Sequence, residues 1–423
     1  MSTLDWKVTD HDRDILLGLA QRVRDIADGS RNREILKQWY LHDECKAERP
    51  LLLTETDGGL QLVVPDFQLR CKEEWARGQE YGFLNTLIHV ETIGDDWPVD
   101  PFVNCGWHYQ ISDYGIPFHQ TQPEASGVRG ANHIDAVITD LETEFYKLKP
   151  RTFSVNREAS LAPKAFLEAF YGGILGVRMR GNPWWTMGMT ITAISIIGLE
   201  SLMLYMYDQP EALHRLMAFL RDDHLALLQW LEREGLLNLN NESDYIGSGS
   251  RGYSRALPQS DRKPGTPVRL RDLWSLIESQ ETVGVGPDQY EEFIFPYENA
   301  IAEKLGRVYY GCCEPVHTRW HVLERMANLK RVSISPWCDQ AFIAKALGNR
   351  YGFSRKPNPS QVSTRVFDAS LIRKDLTETM VLAKEHGCSL EIAMKDVHTL
   401  SGEPDRLTRW VQIARDVSSS IYG

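Results

Sequence analysis

The spacing of apolar residues changes period repeatedly along the second half of the chain. Residues 210–235 carry apolar side chains mostly at helical spacing, starting near a proline and ending at Gly235. Similar spacing predicts further helices, near Pro287 and over 317–327, 339–347, 370–386 and 404–419. Between the helices lie short apolar runs of strand length. We predict strands in LLNLNNESDY, DLWSLIESQE, RVYYGCCEP, LKRVSISPWCD, YGFSRKPNP and CSLEIAMKDVH.

Three further strands are plausible upstream, in LLLTE, PFVNCGWHY and GILGVRMRG. Strands that alternate with helices indicate βαβ units and a parallel sheet. The number of strands favours a TIM (β/α)8 barrel, with an open doubly wound sheet as the alternative. We predict an N-terminal extension over 1–100 that packs on a barrel over 101–423. The barrel would carry insertions around 110–165 and 243–270.

Each predicted strand turns polar where it ends. In a barrel, the C-terminal ends of the strands converge on one mouth, which is where catalytic residues lie. Ordinary loop polarity is the alternative explanation for the pattern. The side chains concerned are Asn240 and Asn241, then Glu278, Gln280 and Glu281, then Cys312, Cys313 and Glu314, then Ser335 and Cys338, then Arg355 and Lys356, and last Lys395, Asp396 and His398.

The composition excludes some classes of protein. The chain has 423 residues and a formal net charge of −11, which argues against a nucleic-acid surface. Its N-terminus lacks the basic-then-apolar pattern of a signal peptide. The charge-free stretch 182–199 contains Pro183, so a loop followed by a buried helix is favoured over a membrane span. We therefore expect a cytoplasmic protein with no membrane or nucleic-acid partner.

The seven cysteines are an odd number and do not form a disulfide framework. Neighbouring α-carbons are about 3.8 Å apart, so a disulfide between Cys312 and Cys313 would be strained. Side chains alternate along a strand, and this places Cys312 and Tyr310 inside the barrel and Cys313 against the helices. A thiolate near a histidine or carboxylate suits Zn²⁺, whereas a thiol that only fills the core is the alternative.

Two other segments carry candidate chemistry. GSGSRG at 247–252 matches the G-x-G-x-x-G pattern, but breakers rather than a helix follow it. We predict a flexible loop over the mouth instead of a dinucleotide site. The segment NCGWHYQISDYG offers Trp107, His108 and Asp113 as a substrate pocket, with a self-packed rim loop as the alternative. Trp184 and Trp185 are either pocket walls or core, and core is favoured.

From about residue 200 onward the chain resembles the uroporphyrinogen decarboxylase-like superfamily. The resemblance lies in SQETVGVGPDQYEEFIFPYENAIAEKLG, RVYYGCCEP, NLKRVSISPWCD and EPDRLTRWVQIARD. Its most specific residues are Phe293, Pro296 and Tyr297. The resemblance implies a TIM barrel with one of two chemistries, cofactor-free porphyrinogen decarboxylation or cobalamin-dependent methyl transfer. The arginine-rich N-terminal segment of the true decarboxylases is missing from this sequence, so methyl transfer is favoured.

The methyltransferases of this superfamily hold Zn²⁺ with an H-x-C pair and a later cysteine. Cys312 matches the cysteine of the pair, whereas Tyr310 stands in place of its histidine. Lys395 and Asp396 lie near the position of the later cysteine. Two of the three ligands therefore differ. Substitute ligands for the zinc, each at a predicted strand end, are Glu281, Glu314 and His398.

The resemblance thus implies a corrinoid-linked methyltransferase or demethylase acting between a small substrate and cobalamin or a corrinoid protein. Cys312 would be a zinc ligand or acid, Glu281 and Glu314 ligands or acid–base groups, and Lys395 and His398 charge stabilisers. Substrate contacts are expected from Trp107, His108, Asp113, Asn241, Tyr245 and Tyr310. The alternatives are a metal-free decarboxylase or lyase of a small carboxylic acid, bound by Arg355, Lys356 and Lys395, and a non-catalytic corrinoid- or tetrapyrrole-binding protein. A homodimer is one option for the assembly, and the sequence does not determine the oligomeric state.

Overall fold

The computed structural model describes residues 6–121 and 133–423. The helices are α1 (Asp10–Ala27), α2 (Ser30–Asp43), α3 (Glu74–Ile88), α4 (Leu141–Glu144), α5 (Arg157–Tyr171), α6 (Thr190–Ile197), α7 (Leu199–Asp208), α8 (Pro210–Arg233), α9 (Pro287–Phe293), α10 (Phe295–Ala302), α11 (Trp320–Leu323), α12 (Gln340–Leu347), α13 (Ser360–Ser363), α14 (Ala369–Glu385) and α15 (Arg406–Tyr422). The strands are β1 (Leu51–Thr54), β2 (Phe102–Cys105), β3 (His108–Ile111), β4 (His119–Thr121), β5 (His133–Asp135), β6 (Phe153–Asn156), β7 (Gly176–Met179), β8 (Tyr245–Gly247), β9 (Ser250–Arg251), β10 (Trp274–Ile277), β11 (Arg307–Tyr310), β12 (Leu329–Ile334), β13 (Gly352–Arg355) and β14 (Ser389–Met394).

The helices begin and end at the residues that local chemistry favours. Proline occupies the first turn of α8, α9 and α10, where its missing N–H costs no hydrogen bond. The Asp368 side chain accepts hydrogen bonds from the first backbone N–H groups of α14, and Asp339 does the same for α12. The helices predicted near Pro287 and over 339–347, 370–386 and 404–419 are confirmed as α9, α12, α14 and α15.

Six strands form one parallel sheet in the order β1-β14-β13-β12-β11-β10. The sheet is buried on both faces, as parallel sheets usually are, and the main hydrophobic core lies between it and the helices. The predicted α/β architecture with a parallel sheet is confirmed. Because β1 pairs with β14, the segment 1–100 contributes a strand to this sheet as well as helices that pack beside it.

The described residues form no closed sheet. A separate parallel pair joins β2 and β7, and β10 ends the row of six strands. The predicted strand at LLNLNNESDY is wrong, because residues 236–244 form no backbone ladder and only Tyr245, the last residue, enters β8. Side chains link it to its neighbours instead. The Asn240 amide donates to the Trp274 carbonyl and accepts from the Trp274 N–H, both at 2.9 Å. The Asn238 amide donates to Gly181 O at 2.7 Å.

The segment GSGSRG forms the buried hairpin of β8 and β9, so the predicted flexible loop is wrong. A Cβ added at Gly247 would lie 2.6 Å from the Tyr309 ring on β11, and Gly247 also contacts Leu276 on β10. Gly249 lies against Ala393 on β14. Since β10 and β14 are four places apart in the strand order, the sheet must curve around this hairpin.

A second hydrophobic cluster joins α1, α3 and α5, with Leu16, Phe83 and Phe170 among its buried residues. The charge-free stretch 182–199 forms a loop and then the buried helix α6, as predicted. Among the described helices, none is long and apolar enough by itself to cross a membrane. The helices α6 and α7 pass that test together, but they are bent by 91° at the break between them.

Candidate active site

Two neighbouring thiols lie just beyond the end of β11. The strand stops at Tyr310, and Gly311 has a φ of +94°, which interrupts the alternation of side chains. The sulfur atoms of Cys312 and Cys313 are consequently only 3.7 Å apart. Cys312 is buried and Cys313 is exposed, so the expectation that Cys313 packs against the helices is wrong.

A lysine from the end of β14 completes this group. Lys395 Nζ lies 3.9 Å from Cys312 Sγ and 3.4 Å from Asp396 Oδ2. Burial alone would lower the pKa of Lys395, but the neighbouring thiols and Asp396 raise it. The hydrogen bond from Cys312 lowers the pKa of Cys313, and Lys395 lowers it further. The same hydrogen bond, together with burial, raises the pKa of Cys312. Cys313 is therefore the thiol that ionises first.

Three carboxyl groups interact with one another near the end of β10, and Glu314 connects them with Cys312. The Glu314 carboxylate accepts hydrogen bonds from the backbone N–H of Cys312 at 2.8 Å and of Ser279 at 3.1 Å. Burial, with the charges of Glu281 and Glu314, raises the pKa of Glu278 to about 9. Burial also raises the pKa of Glu281, whose Oε2 accepts a hydrogen bond from Thr190 at 2.6 Å. Glu278 is therefore protonated at neutral pH and can act as a general acid.

Tyr310 belongs to a buried hydrogen-bonded row behind these carboxyl groups. Its hydroxyl lies 2.8 Å from Ser279 Oγ and 3.0 Å from the Tyr290 hydroxyl. The Tyr290 hydroxyl also donates to Glu298 Oε2 at 3.0 Å. Since Tyr310 is fully buried against α9, it holds the Ser279 turn in place. The neighbouring Tyr309 is the residue that faces the β8–β9 hairpin.

An open cavity of ≈ 660 Å³ lies between the segment that follows β7 and strand β10. Trp184 and Trp185 line it, so they are pocket walls, although Trp184 also packs on the core. The Trp184 indole donates to Ser275 Oγ at 3.1 Å. Tyr245 lines the same cavity. Burial raises the pKa of its hydroxyl, and the charges of Lys395 and of the Cys312 thiol also affect this pKa, so both groups lie near Tyr245. Tyr245 therefore lies between the cavity and the thiols.

Several residues predicted to bind substrate lie elsewhere. Trp107 packs on the main core, and His108 is exposed at the start of β3. Asp113 is also exposed and accepts a hydrogen bond from the backbone of Gly115 at 2.8 Å. No described contact joins these three side chains to the thiols or to the ≈ 660 Å³ cavity. Their roles in substrate binding stay predictions.

Two residues of the predicted strand ends are also separate from the thiols. His398 is exposed, four residues beyond the end of β14, and its carbonyl lies against Gly58. The Asn241 amide donates to Leu257 O at 2.8 Å, which holds the segment after β9. No described contact connects either side chain with Cys312.

The described residues do not fit the zinc site that the resemblance implies. They contain no group of three or more His, Cys, Asp or Glu side chains placed to hold a metal ion. Cys312 hydrogen-bonds with Cys313, and both Glu314 oxygens accept backbone N–H groups. His398 and Glu281 make no described contact with Cys312. Zinc binding stays a prediction.

Some residues of the site were not selected from the sequence. Glu278 is among the polar residues that the sequence places at strand ends, but no role was assigned to it there. Ser248 Oγ lies 4.0 Å from Cys312 Sγ. The sequence did not predict this contact, because the pattern G-S-G-S is typical of a loop. Glu298 lies within α10, and nothing in its spacing indicates that it approaches Tyr290 and Glu278.

Comparisons with known proteins address the fold. No protein-family model matches the chain, and no curated protein sequence matches it. Among solved structures, the chain is similar to a methyltransferase from Methanosarcina mazei, with 10% sequence identity and a TM-score of 0.51. The alignment covers 90% of this chain and 98% of that one. At this identity the likeness is one of fold.

Proposed function

We propose that the protein transfers a methyl group between a small methylated compound and a corrinoid, and that its sheet is the greater part of a TIM (β/α)8 barrel. Support for the barrel comes from the curvature around the β8–β9 hairpin and from the asparagine links across LLNLNNESDY. Support for methyl transfer comes from the fold of the Methanosarcina methyltransferase and from the resemblance of the strand-end segments.

The observation that carries the proposal is the buried acid Glu278, which interacts electrostatically with Cys312, the thiol that Lys395 contacts. When a methyl group leaves an oxygen, nitrogen or sulfur atom, the electrons of the broken bond stay on that atom, which then needs a proton. Glu278, with a pKa of about 9, holds such a proton at neutral pH. The Lys395 ammonium stabilises the negative charge before the proton arrives. A reduced corrinoid, when bound, supplies the electron pair that accepts the methyl group.

The cavity limits how a corrinoid would reach the site. A volume of ≈ 660 Å³ lies within the range of about 300–1,000 Å³ for pockets that enclose small ligands. A whole cobalamin is larger than such ligands, so the cavity fits the methylated compound. A corrinoid would approach from the open side, either free or carried by a separate protein.

The test is formation of methylcobalamin from reduced cobalamin and a panel of methylated ethers, amines and thioethers, followed by ultraviolet–visible absorption. We expect Glu278→Gln to lower the rate by about 10²–10⁴-fold, which is the usual contribution of a general acid. Cys388→Ser is the matched control, because Cys388 lies at the opposite end of β14 and its sulfur bonds Ala344 O. A wild-type protein that is inactive with every compound, or a fully active Glu278→Gln variant, would contradict the proposal.

A second candidate function is metal-free decarboxylation or another lyase reaction on a small carboxylic acid. It is favoured by Lys356, which is a buried amine. Burial lowers the pKa of this amine to about 8. Such an amine can bind a carboxylate or attack a carbonyl group. Release of CO₂ without methyl transfer, lost in Lys356→Met, would select this function. If neither reaction occurs, non-catalytic binding of a corrinoid or tetrapyrrole is the remaining proposal, and titration with cobalamin tests it.

A further inference from the structure

A smaller cavity of ≈ 330 Å³ lies between the helices α1 and α3 and the strand β2. Its wall includes Gly78 and Gly82 of α3, together with Trp97 and Arg251. Asn104 and Ser243 line this cavity and also the cavity of ≈ 660 Å³. The two spaces are therefore neighbours, and one elongated molecule can extend from one to the other.

Arg251 is the unusual member of the smaller cavity. The side chain is only 9% exposed, yet its one hydrogen bond within the described part of the chain is a long one, from Nη1 to Ser243 O at 3.4 Å. Its Nε is buried and has no described acceptor. A guanidinium group offers five N–H donors, and buried charges are normally paired. Arg251 therefore has donors left for a ligand.

The guanidinium group is also held firmly in position. Its Cζ lies 4.0 Å from the centre of the Trp97 ring. That ring stacks on His89 with 3.9 Å between centroids, and His89 Nδ1 lies 2.9 Å from Asp95 Oδ2. A cation over an indole gains attraction from the ring, and a fixed guanidinium loses little entropy when it binds. Arg251 is consequently prepared to receive a planar anionic group.

Within the described residues, no carboxylate forms an ion pair or a hydrogen bond with the Arg251 side chain. Asp100 lines the same cavity, but its oxygens accept hydrogen bonds from Tyr253 at 3.0 Å and from Arg178 at 2.5 Å. Burial raises the pKa of Glu55 and the charge of Arg251 lowers it, but no described hydrogen bond joins Glu55 to Arg251. Within the described residues, the acidic groups around the cavity form ion pairs with other arginines. Asp100 pairs with Arg178, Asp244 pairs with Arg180, and Glu242 pairs with both.

The glycines of α3 leave room opposite this charge. A Cβ added at Gly78 or Gly82 would meet no other atom within 4 Å. Glycine inside a helix costs about 0.5–1 kcal/mol relative to alanine. Gly78 and Gly82 are one turn apart on the cavity wall, and neither is needed for close packing. Glycine at these two positions keeps the space open for a ligand.

We propose that the smaller cavity binds a carboxylate of the substrate, with Arg251 as the group that recognises it. The body of the molecule then extends past Asn104 and Ser243 into the larger cavity, towards Trp184, Trp185 and Tyr245. The assignment of this carboxylate to the methylated compound rests on the proposed function. The substrate class is accordingly a methylated carboxylic acid.

The test uses benzoate and its neutral analogue benzamide, titrated into the full-length protein by isothermal titration calorimetry. We expect benzamide to bind at least about tenfold more weakly than benzoate, because it lacks the charge that Arg251 pairs with. Arg251→Gln should abolish this difference, and Gly82→Leu should weaken both compounds by filling the space. Arg255→Gln is the matched control. Arg255 is an exposed arginine of the same segment, paired with Glu44, and its loss should change neither affinity.

Equal binding of the two compounds, failure of both to bind, or an unchanged preference in Arg251→Gln would overturn the inference. If Arg251→Gln does not fold, Gly82→Leu decides, because its side chain enters open space on a helix surface. Unchanged benzoate binding in that variant overturns the inference. Benzoate carries no methyl group to transfer, so its binding is independent of the proposed reaction. Selective benzoate binding without any methyl transfer would reject the proposed function and leave the carboxylate site standing.

Discussion

The ammonium nitrogen of Lys395 lies 3.9 Å from the sulfur of Cys312, although 83 residues separate them in the sequence. Lys395 directly follows β14, and Cys312 follows β11 by two residues. Because the sheet is parallel, the polar ends of its strands lie along one edge. The contact brings a cation to a pair of thiols and lowers the pKa of both, while the hydrogen bond between them and the burial of Cys312 make Cys313 ionise first.

The first prediction concerns that order. Cys313 should react fastest with iodoacetamide at neutral pH, because the hydrogen bond from Cys312 and the charge of Lys395 lower its pKa. Cys312→Ala removes the hydrogen-bond donor and should slow the alkylation of Cys313. Peptide mass spectrometry after timed quenching measures the rate, and Cys388→Ser should leave it unchanged. Faster labelling of Cys312 than of Cys313 would show that the assignment is reversed.

The second prediction concerns Lys395 itself. Lys395→Met should raise the pH at which Cys313 becomes reactive, because the positive charge that favours the thiolate is gone. The pH dependence of the alkylation rate gives this midpoint. Lys374→Met, which removes an exposed lysine on α14, is the control and should not move it. An identical midpoint in Lys395→Met and the wild type would exclude electrostatic coupling between Lys395 and the thiols.

The strand pattern was largely readable from the sequence, because buried parallel strands are short apolar runs between helices. The segment LLNLNNESDY was misread since Asn238 and Asn240 make their links through side-chain amides, which no hydrophobic pattern reveals. The hairpin at GSGSRG was misread for a related reason. Glycines that look like a flexible loop are needed here so that backbone can approach Tyr309 and Ala393 closely.

The candidate site was only partly readable. Strand ends identified Glu281, Cys312, Glu314 and Lys395, which the structure brings to one region. The orientation of single side chains was not readable, because Gly311 adopts a positive φ and ends the alternation just before the cysteines. Arg251 was missed altogether, since its isolation from acidic partners is a property of the tertiary structure.

The third prediction concerns Glu278 and pH. Its pKa is raised from 4.5 to about 9 in the folded protein, first by burial and then by Glu281 and Glu314. Between these two values the folded state binds more protons than the unfolded state, so the free energy of unfolding falls as pH rises. Glu278→Gln stays neutral and should flatten this part of the pH profile. Its stability relative to the wild type should therefore increase from pH 5 to pH 9.

Urea denaturation at several pH values between these limits measures the effect. Glu324→Gln is the control, because Glu324 is exposed and its loss should leave the profile unchanged. Parallel profiles for Glu278→Gln and the wild type would mean that Glu278 is ionised at neutral pH. The role of Glu278 as a general acid would then fail as well.

The fourth prediction concerns Tyr310, which stands where the resemblance expects a histidine. Tyr310→Phe removes a buried hydroxyl that lies within hydrogen-bond distance of both Ser279 and Tyr290. Leaving such partners unsatisfied costs about 1–3 kcal/mol in the free energy of unfolding. Tyr146→Phe is the control, because Tyr146 is 77% exposed and should cost almost nothing. A loss of stability no larger than that of the control would show that the hydroxyl row contributes nothing to holding the Ser279 turn.

The last prediction concerns Glu391, a buried carboxylate within β14. Glu391 is fully buried, and although burial would raise its pKa, Arg331, His42 and Lys356 lower it to about 2. Glu391 therefore stabilises the fold above its ordinary pKa of 4.5, and this contribution is lost as pH falls towards 2. Glu391→Gln removes the nearer of the two carboxylates paired with Arg331, the other being Asp43 at 3.8 Å, and should cost up to about 3–5 kcal/mol at neutral pH. In denaturation curves recorded at pH 7 and at about pH 3, the difference in the free energy of unfolding between Glu391→Gln and the wild type should narrow at the lower pH.

Glu324→Gln, at an exposed glutamate, should match the wild type at both pH values. A penalty for Glu391→Gln that does not depend on pH would mean that the side chain acts through packing rather than through charge.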